Sequence, residues 1–378
     1  MKALILGCGE MGEEALKDIF LHGDLREIAV ATRNPEKANA VLSRLGPGKP
    51  RVRVERVDLD DALELKGLMG DADVVINCVG PNYKYELPVA RAAIQAGKPL
   101  VDLNDEYLTT LQMYDLDESA RAANVTIVMG LGASPGVNNI LVRAAADELS
   151  EIESIRTAWV MSGADPGGLA LSYHLLYSLS DKAFVVQDGQ REEVRSFIDG
   201  RESIDFPMPV GRMDVFHIGH PEPITLSRCY PQVPYIDDKA TFNPPSVNDM
   251  ILALGKINRD SAGSVRVRGR DIDVMDFAAA YLNAHCKRMS GVPLPGALRV
   301  EVLGRKGKKR LKYVYSSAGR IAQGTGIPAA IGAEFILEGK ITKKGILAPE
   351  ECIDPHPFLH ELLKRKIGKL NGWIEEVH

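Results

Sequence analysis

The chain has no excess of positive charge. Lys and Arg number 46 against 51 Asp and Glu, a formal net charge of −5 over 378 residues, so the electrostatic footprint of a nucleic-acid partner is missing. The one dense basic run, Arg305-Lys306-Gly307-Lys308-Lys309-Arg310, reads as a hairpin tip rather than a phosphate-binding patch. Long apolar runs are also missing. No stretch approaches the ~20 residues that span a bilayer, and the N-terminal apolar run stops at a glycine turn instead of continuing as a signal peptide. No membrane partner is expected. Cysteine is scarce: Cys8, Cys78, Cys229, Cys286 and Cys352 are odd in number, irregularly spaced and form no C-x-x-C pair. That excludes a disulfide framework and a zinc ribbon, and points to a cytoplasmic protein with reduced thiols. His356 and His360 stand four apart, but Pro355 and Pro357 flank the first of them, which suits a helix start or turn. No metal is expected.

What the chain does have begins at once. Ala3-Leu4-Ile5-Leu6 is a fully apolar segment of the kind that fills a central parallel strand. It runs into Gly7-Cys8-Gly9-Glu10-Met11-Gly12, a G-x-G-x-x-G where strand turns into helix. Gly7 allows the tight turn, Gly9 lets the backbone approach a pyrophosphate, and Gly12 lets helix and strand pack closely. The helix N-terminus then offers N–H groups and partial positive charge to phosphate. Ala15, Leu16, Ile19 and Phe20 follow at helical spacing. Glu27 to Ala31 is a second strand, and Asn34-Pro35 is an N-cap with proline at the first helical position. Thr32 stands twenty residues beyond Gly12, where an NAD-binding fold commonly carries an acid for the ribose 2′-hydroxyl. Thr32 is neutral and Arg33 follows it, a fork that can pair with a 2′-phosphate or stack on adenine. NADP is therefore expected as cofactor, with NAD possible and a solvated loop role the plain alternative for Arg33.

Further strands follow at Arg51 to Val57, Asp73 to Cys78, Pro99 to Val101 and Val125 to Met129. Asp58-Leu59 at the third strand's tip can face adenine, while Asp58, Asp60 and Asp61 can equally cap the helix Ala62 to Met69. Cys78-Val79-Gly80-Pro81 is a loop beside the nicotinamide side of such a site. Pro88 to Ala96 reads as a short helix and Asp115 to Asn124 as another. Six strands alternating with helices define an α/β, doubly wound Rossmann sheet. Ligands of such sheets sit beyond the strands' carboxyl ends, which brings Asp102, with Asp105 just behind it, and the Gly130-Leu131-Gly132 turn towards the chemistry.

These residues resemble the saccharopine dehydrogenase family. The likeness is carried by GCGEMG (Gly7 to Gly12), VINCVGP (Val75 to Pro81), GKPLVDLNDE (Gly97 to Glu106), GLGASPGVNNILV (Gly130 to Val142) and TGIPAAIGAEFILEGKI (Thr325 to Ile341). It implies a Rossmann domain interrupted by a second α+β domain with a mixed sheet, followed by C-terminal helices that return to the first. On this chain those parts fall at 1–140, 141–324 and 325–378. It also implies hydride transfer between a pyridine nucleotide and a C–N bond of a small amino acid or polyamine derivative such as a lysine or saccharopine-like compound. The family's usual Asp before Pro-Gly is Ser134 here, and Ile218-Gly219-His220-Pro221-Glu222-Pro223 echoes its middle motif only loosely. A homodimer is expected. The rival classes are a non-catalytic NADP-binding sensor or scaffold, and a carbonyl or enoyl reductase. No Tyr-x-x-x-Lys pair follows the strands, which speaks against a short-chain reductase mechanism.

The middle of the chain changes character. Ile155 to Met161 is strand-like, Leu169 to Leu179 suits a helix carrying His174, and Asp188-Gly189 joins two short strands. Met213 to Ile218 and Ile224 to Leu226 read as strands, Tyr230 to Pro245 and Gly291 to Pro295 as proline-rich loops. Leu298 to Leu303 and Arg310 to Tyr315 form the clearest hairpin. Ala329 to Leu337 is helical in period, and Asp354-Pro355 opens a last helix, Phe358 to Lys369. Pro135-Gly136 forms a turn and Val137 to Ile140 opens a helix whose free N–H groups, with Ser134, Pro135, Gly136 and Asn138 around them, can hold a substrate carboxylate unless the segment is a plain crossover turn. Arg228 can bind one bidentately or form a surface ion pair. Proton transfer falls to Asp102, Asp105, His174 or His220. Histidine as a residue type suits proton transfer near neutrality, and His220 has Glu222 beside it to orient it, unless it is a solvated loop histidine.

Overall fold

The computed structural model describes residues 1–48, 50–59, 62–164, 168–177, 182–260, 263–289 and 295–377. Its first elements alternate strictly. They are β1 (Lys2–Leu6), α1 (Glu10–His22), β2 (Glu27–Thr32), α2 (Pro35–Leu45), β3 (Arg51–Arg56), α3 (Ala62–Gly70), β4 (Val74–Asn77), α4 (Asn82–Ala96) and β5 (Leu100–Asp102). Then come α5 (Tyr107–Tyr114), α6 (Asp117–Ala122), β6 (Thr126–Val128) and α7 (Val137–Ala146). The apolar runs explain the strands: Ala3 to Leu6 and all of β4 are buried, as parallel strands covered on both faces must be. The Asn34 side chain accepts the Lys37 N–H at 3.2 Å, with Pro35 at the first helical position, so α2 starts where its cap dictates.

A longer mixed stretch follows: β7 (Glu151–Ser162), α8 (Gly168–Tyr177), β8 (Lys182–Gln187), β9 (Gln190–Arg195), β10 (Glu202–Asp205), β11 (Arg212–His217), α9 (Glu222–Cys229) and β12 (Ile236–Asn243). It continues with α10 (Ser246–Asp260), β13 (Ser264–Val267), β14 (Arg270–Asp273), α11 (Val274–Met289), β15 (Gly296–Lys306) and β16 (Lys309–Gly319). The chain ends with α12 (Ile321–Leu337), β17 (Gly345–Leu347), α13 (Pro349–Cys352), α14 (Pro355–Lys364) and β18 (Asn371–Glu376).

These elements form two compact units, Met1–Ile140 with Ala322–Arg365, and Leu141–Ile321 with Lys366–His378. The first holds a seven-stranded sheet, β17-β6-β5-β4-β1-β2-β3, parallel at every pairing. This is the doubly wound Rossmann sheet with one strand more than expected, because Gly345-Ile346-Leu347 is too short to declare itself in sequence. The second holds a mixed nine-stranded sheet whose path is β10-β11-β12-β7-β15-β16-β18, with β8 and β9 as a side branch. The α/β class with a second, mixed-sheet part therefore stands.

Several local expectations are corrected. Pro88 lies inside α4, which starts six residues earlier at Asn82. The helix read over Asp115 to Asn124 is the short α6, preceded by a separate α5. Ile224 to Leu226 is not a strand: Pro221 and Pro223 begin α9, where missing N–H groups cost nothing. Tyr230 to Pro245 is not all loop, since it contains β12, a buried strand parallel to β7. The segment read as C-terminal helices also contains β17 and β18. Asp60, Asp61, Leu179 and Gly291 to Leu294 lie outside the described residues.

Other expectations hold. Asp188 and Gly189 both have positive φ (49° and 76°) in the β8–β9 turn, as a tight hairpin requires. The basic run is the β15–β16 tip, and its cations meet acids: Lys306 with Glu148 at 2.5 Å, Lys309 with Glu376 at 3.0 Å, Arg310 with Glu153 at 2.7 Å. Among the described residues no helix is long and apolar enough to cross a membrane.

In the first unit the closing segment is tied to α1 by charge. Arg365, 5% exposed, sits 3.4 Å from Asp18 on α1 and 2.6 Å from Glu334 on α12, and also bonds Glu361 on α14. Removing one partner from a buried ion cluster leaves the others uncompensated, a loss of about 3–5 kcal/mol. Arg365→Met is therefore expected to lower the thermal midpoint markedly, whereas Arg201→Met, at an exposed pair with Asp214, should shift it little; differential scanning calorimetry reads both.

Candidate functional site

The glycine loop is tight where it must be and open in one place. Gly7 has φ +83°, and a Cβ there would stand 3.0 Å from the Cys78 carbonyl oxygen. A Cβ on Gly12 would stand 2.2 Å from the Gly7 carbonyl oxygen, so α1 lies too close to the loop for any side chain. Gly9 differs: nothing lies within 4 Å of its would-be Cβ, and it is the N-cap residue of α1, with no side-chain cap on the helix amides. A cradle walled by backbone and open over a helix N-terminus is what a pyrophosphate needs. Gly326 of α12 completes the wall, its would-be Cβ 2.3 Å from the Met11 carbonyl oxygen. Glu10 at the helix start does not face this opening uncompensated, because it pairs with Lys37 at 2.9 Å.

At the end of β2, Thr32 is buried and its Oγ1 accepts the Asn34 N–H at 3.3 Å. Arg33 beside it is exposed. No acid occupies the strand end, and Lys37 adds a second cation one helical turn on, a residue the sequence reading passed over. After β3, Asp58 is exposed and Leu59 buried. The loop Cys78-Val79-Gly80-Pro81 is half-buried, and burial pushes the Cys78 thiol pKa upward, so it is no nucleophile.

Asp102 ends β5 wholly buried. Its Oδ1 accepts the N–H of Asn104 at 2.8 Å and of Gly130 at 2.7 Å, while the Leu131 N–H reaches its backbone carbonyl at 2.8 Å. Asp102 thus clamps the turn after β6 to the loop after β5. Asp105 is half-buried and accepts from the Asn82 amide at 2.8 Å.

The turn around Pro135 is built against itself. Gly136 has φ +121°, and a Cβ there would meet the Gly132 carbonyl oxygen at 2.1 Å. The helix-start amides expected to be free are spent: Gly136 N–H on Asn139 Oδ1 at 3.0 Å, Val137 N–H on the Gly132 carbonyl at 2.9 Å, Asn138 N–H on the Ala133 carbonyl at 3.1 Å. A carboxylate has no bare helix terminus to bind there. Asn138 is fully buried and donates to Ser134 Oγ at 2.9 Å, and its Oδ1 has no protein partner among the described residues.

The second unit assembles a cluster of its own. Neighbouring β7 and β12 pair Thr157 with Asp238 and Trp159 with Ala240. On this face His220 Nδ1 lies 2.7 Å from Glu222 Oε2 and 3.7 Å from Asp238 Oδ2. Asp238 accepts from Thr157 at 2.6 Å and from the Trp159 indole at 3.3 Å. All three members of the His220-Glu222-Asp238 set are buried, so His220 is not a solvated loop histidine. Trp159 and His174 rings stand 5.3 Å and 5.8 Å from it. Burial and the Glu222 charge hold the Asp238 carboxyl well above the usual carboxylate range. Asp238 and Trp159 escaped the sequence reading; the signal was an acid pair in a segment that alternates apolar residues on either side. Arg228 is exposed on the last turn of α9.

A doubly wound parallel sheet whose first turn is a walled glycine cradle, joined to a mixed-sheet unit with a buried histidine–carboxylate cluster, defines a pyridine-nucleotide-dependent dehydrogenase. The family model of the saccharopine dehydrogenase NADP binding domain matches residues 3–128, and that of the saccharopine dehydrogenase C-terminal domain matches 132–367. The chain belongs to the saccharopine dehydrogenase family and is an NAD(P)-dependent oxidoreductase of that type, acting on CH–NH donors. Over all of its length it is 22% identical to a carboxyaminopropylagmatine dehydrogenase from Synechocystis, covering 98% of that protein. It is 25% identical to a trans-acting enoyl reductase from Mycobacterium tuberculosis over 41% of this chain and 40% of the other. The apo saccharopine dehydrogenase (L-Glu forming) of Saccharomyces cerevisiae shares the fold, with a TM-score of 0.66 at 17% identity and full coverage of both chains.

Two alanines separate cradle from scaffold. Gly9→Ala has room for its methyl group in the protein alone and should leave the thermal midpoint in place while raising the NADPH Kd about tenfold or more. Gly12→Ala forces backbone apart and should cost about 1–3 kcal/mol of stability. Fluorescence titration with NADPH alongside thermal melts checks both.

Proposed function

We propose that this protein is an NADP-dependent dehydrogenase that interconverts a secondary amine of an amino acid or polyamine conjugate and the corresponding imine. The observation that carries the reading is the His220-Glu222 pair: a buried histidine, oriented by a buried carboxylate, in the unit matched by the family's C-terminal domain. The nicotinamide cofactor, when bound, supplies or accepts the hydride. The chain's own residues do the rest. Gly7, Gly9, Met11 and Gly12 form the backbone cradle for the pyrophosphate. Arg33, with Thr32 in place of an acid, favours the extra phosphate of NADP over the bare ribose of NAD. Asp58 and Leu59 border the adenine, and Cys78 to Pro81 the nicotinamide side.

His220 then holds or moves the proton at nitrogen, with Glu222 fixing its Nδ1 and leaving Nε2 for the reacting group. Asn138 Oδ1 accepts a hydrogen bond from ligand, with Ser134, Pro135 and Gly136 shaping the turn around it. Arg228 and Asp105 are the remaining candidates for substrate carboxylate and ammonium. Asp102, committed through Oδ1 to two backbone amides, serves as an anchor rather than the proton carrier. The full-length likeness to a dehydrogenase named for an aminopropylagmatine conjugate supports a polyamine-type substrate over lysine itself. Five cysteines with no disulfide among the described residues fit a reducing cytoplasm, and a homodimer is checked by light scattering.

NADPH oxidation, followed with imines formed from a panel of diamines, agmatine and lysine and small oxo acids or semialdehydes, tests the reading. Turnover with nitrogen-containing pairs and none with enoyl thioesters is expected. The reverse outcome would favour the enoyl reductase reading that the partial mycobacterial match supports. His220→Asn should lower kcat by about 10²–10⁴ with NADPH affinity retained. Arg33→Ala should reduce the NADPH/NADH ratio of kcat/KM by about tenfold, the loss of one charge-assisted phosphate contact.

A further inference from the structure

One buried group in the first unit has no part in the roles assigned so far. Glu86 lies on α4 with no solvent exposure, on the face that also buries Val89, Ala90 and Ala93. Its Oε2 accepts from the Asn77 side-chain amide at 3.1 Å, and Asn77 Oδ1 in turn accepts the Val79 N–H at 3.1 Å. Among the described residues its Oε1 has no donor, and Asp102 Oδ2 is the matching orphan across from it. The two carboxyl groups are within hydrogen-bonding reach of each other. Two buried carboxylate oxygens left facing each other without a donor would be costly, and one proton between them satisfies both.

We propose that Glu86 carries a proton that it donates to Asp102, and that this carboxyl–carboxylate bond positions the Val79–Pro81 loop against the Gly130 turn for cofactor binding. The chain of contacts is continuous: Val79 amide to Asn77, Asn77 to Glu86, Glu86 to Asp102, Asp102 to the Asn104 and Gly130 amides. Glu86 is thus a positioning residue, acting through Asn77 and Asp102. The Cys78 thiol after β4 is held protonated by its burial and adds no charge; the charged groups acting on the pair are Asp105 and Glu106 from the segment before α5. Each is an acid, and each opposes a second negative charge at the pair. Burial first, and the Asp102 charge next, raise the Glu86 carboxyl well above the ordinary carboxylate range.

The sign of the pH effect follows. A carboxyl raised in the folded state lends stability that is complete below its unfolded value, about 4.3, and is lost as pH rises through the folded one. Alkaline pH should therefore loosen the Val79–Pro81 loop before it affects the rest.

The test compares wild type with Glu86→Gln, whose amide can still accept from Asn77 and donate to Asp102 with no proton to lose. The infrared spectrum of the wild type should carry a protonated-carboxyl C=O band that Glu86→Gln lacks. The wild-type NADPH Kd should climb with alkaline pH, approaching tenfold per pH unit above the pair's pKa, and Glu86→Gln should flatten that climb. Glu86→Leu, which leaves Asp102 charged with no donor to its Oδ2, should bind NADPH weakly already at neutral pH. A band that persists in Glu86→Gln, or the same pH dependence in both proteins, would overturn the proposal. The positioning role rests on the nucleotide-binding reading, but the infrared band does not: a wild type that fails to bind NADPH or NADH sinks that reading and the positioning role, while the band still decides where the proton is.

Discussion

A carboxylate that no water can reach has to be answered by something, and around Asp102 that requirement organises the first unit. The strand β5 is only three residues long, so its side chains contribute little; what the strand end offers is an anion in the middle of a sheet. Two backbone amides from two different turns converge on one oxygen, and a third reaches the carbonyl of the same residue. Loops that would otherwise be loosely held are thereby drawn to a common point. The glycines are the complement of this constraint. Gly130 has φ +69° and would clash with Pro135 and the Asn104 carbonyl if it carried a side chain, so its amide can approach Asp102 only because it has none.

The second unit meets the same constraint with different means. Its central strand β12 reads Ile-Asp-Asp-Lys-Ala-Thr-Phe-Asn, three charged residues in succession in a buried strand. Asp237 and Lys239 fall on one face, where Arg156, Glu202 and Tyr235 meet them: Arg156 lies 3.2 Å from Asp237, and Lys239 2.8 Å from Glu202. Asp238 falls on the other face among Thr157, Trp159 and His220. Ion pairs of this kind rarely add net stability over apolar packing, but losing one partner is expensive. They therefore tie β7, β10 and β12 to a single register and hold the histidine cluster in one arrangement.

The legible parts of the sequence were those where burial and composition agree. Ala3 to Leu6, Val74 to Asn77 and the glycine loop announce themselves because parallel strands covered on both faces need apolar side chains, and the hairpin turns because they need glycine or asparagine-like φ. β12 was illegible for the converse reason: the charges of Lys239 and Asp237 are met by Glu202 and Arg156, 37 and 81 positions away, which no local pattern reveals. Pro88 misleads by a real tendency, since proline favours a helix start, and a helix that began there would leave out Glu86, which the true helix carries on a buried face. The cofactor side was readable because phosphate recognition uses backbone at fixed spacing. The histidine cluster was only half readable, with His220 and Glu222 two residues apart in sequence and Asp238 and Trp159 brought in by strand pairing.

Both units are made of segments distant along the chain, and this bears on how the protein comes into being. The glycine loop and six strands of the first sheet leave the ribosome early. Yet Gly326, which packs on α1 beside that loop, and β17, which covers the open edge of β6, are synthesised only after the whole of β7 to β16. At ordinary elongation rates the gap is roughly 10–40 s. For that time the nascent nucleotide-binding half has an unpaired strand edge, a surface prone to wrong partners. The first sheet thus closes only after the strands of the second unit's sheet from β7 to β16 have been made, and a product of a message interrupted before Gly326 would carry the fingerprint without the grip.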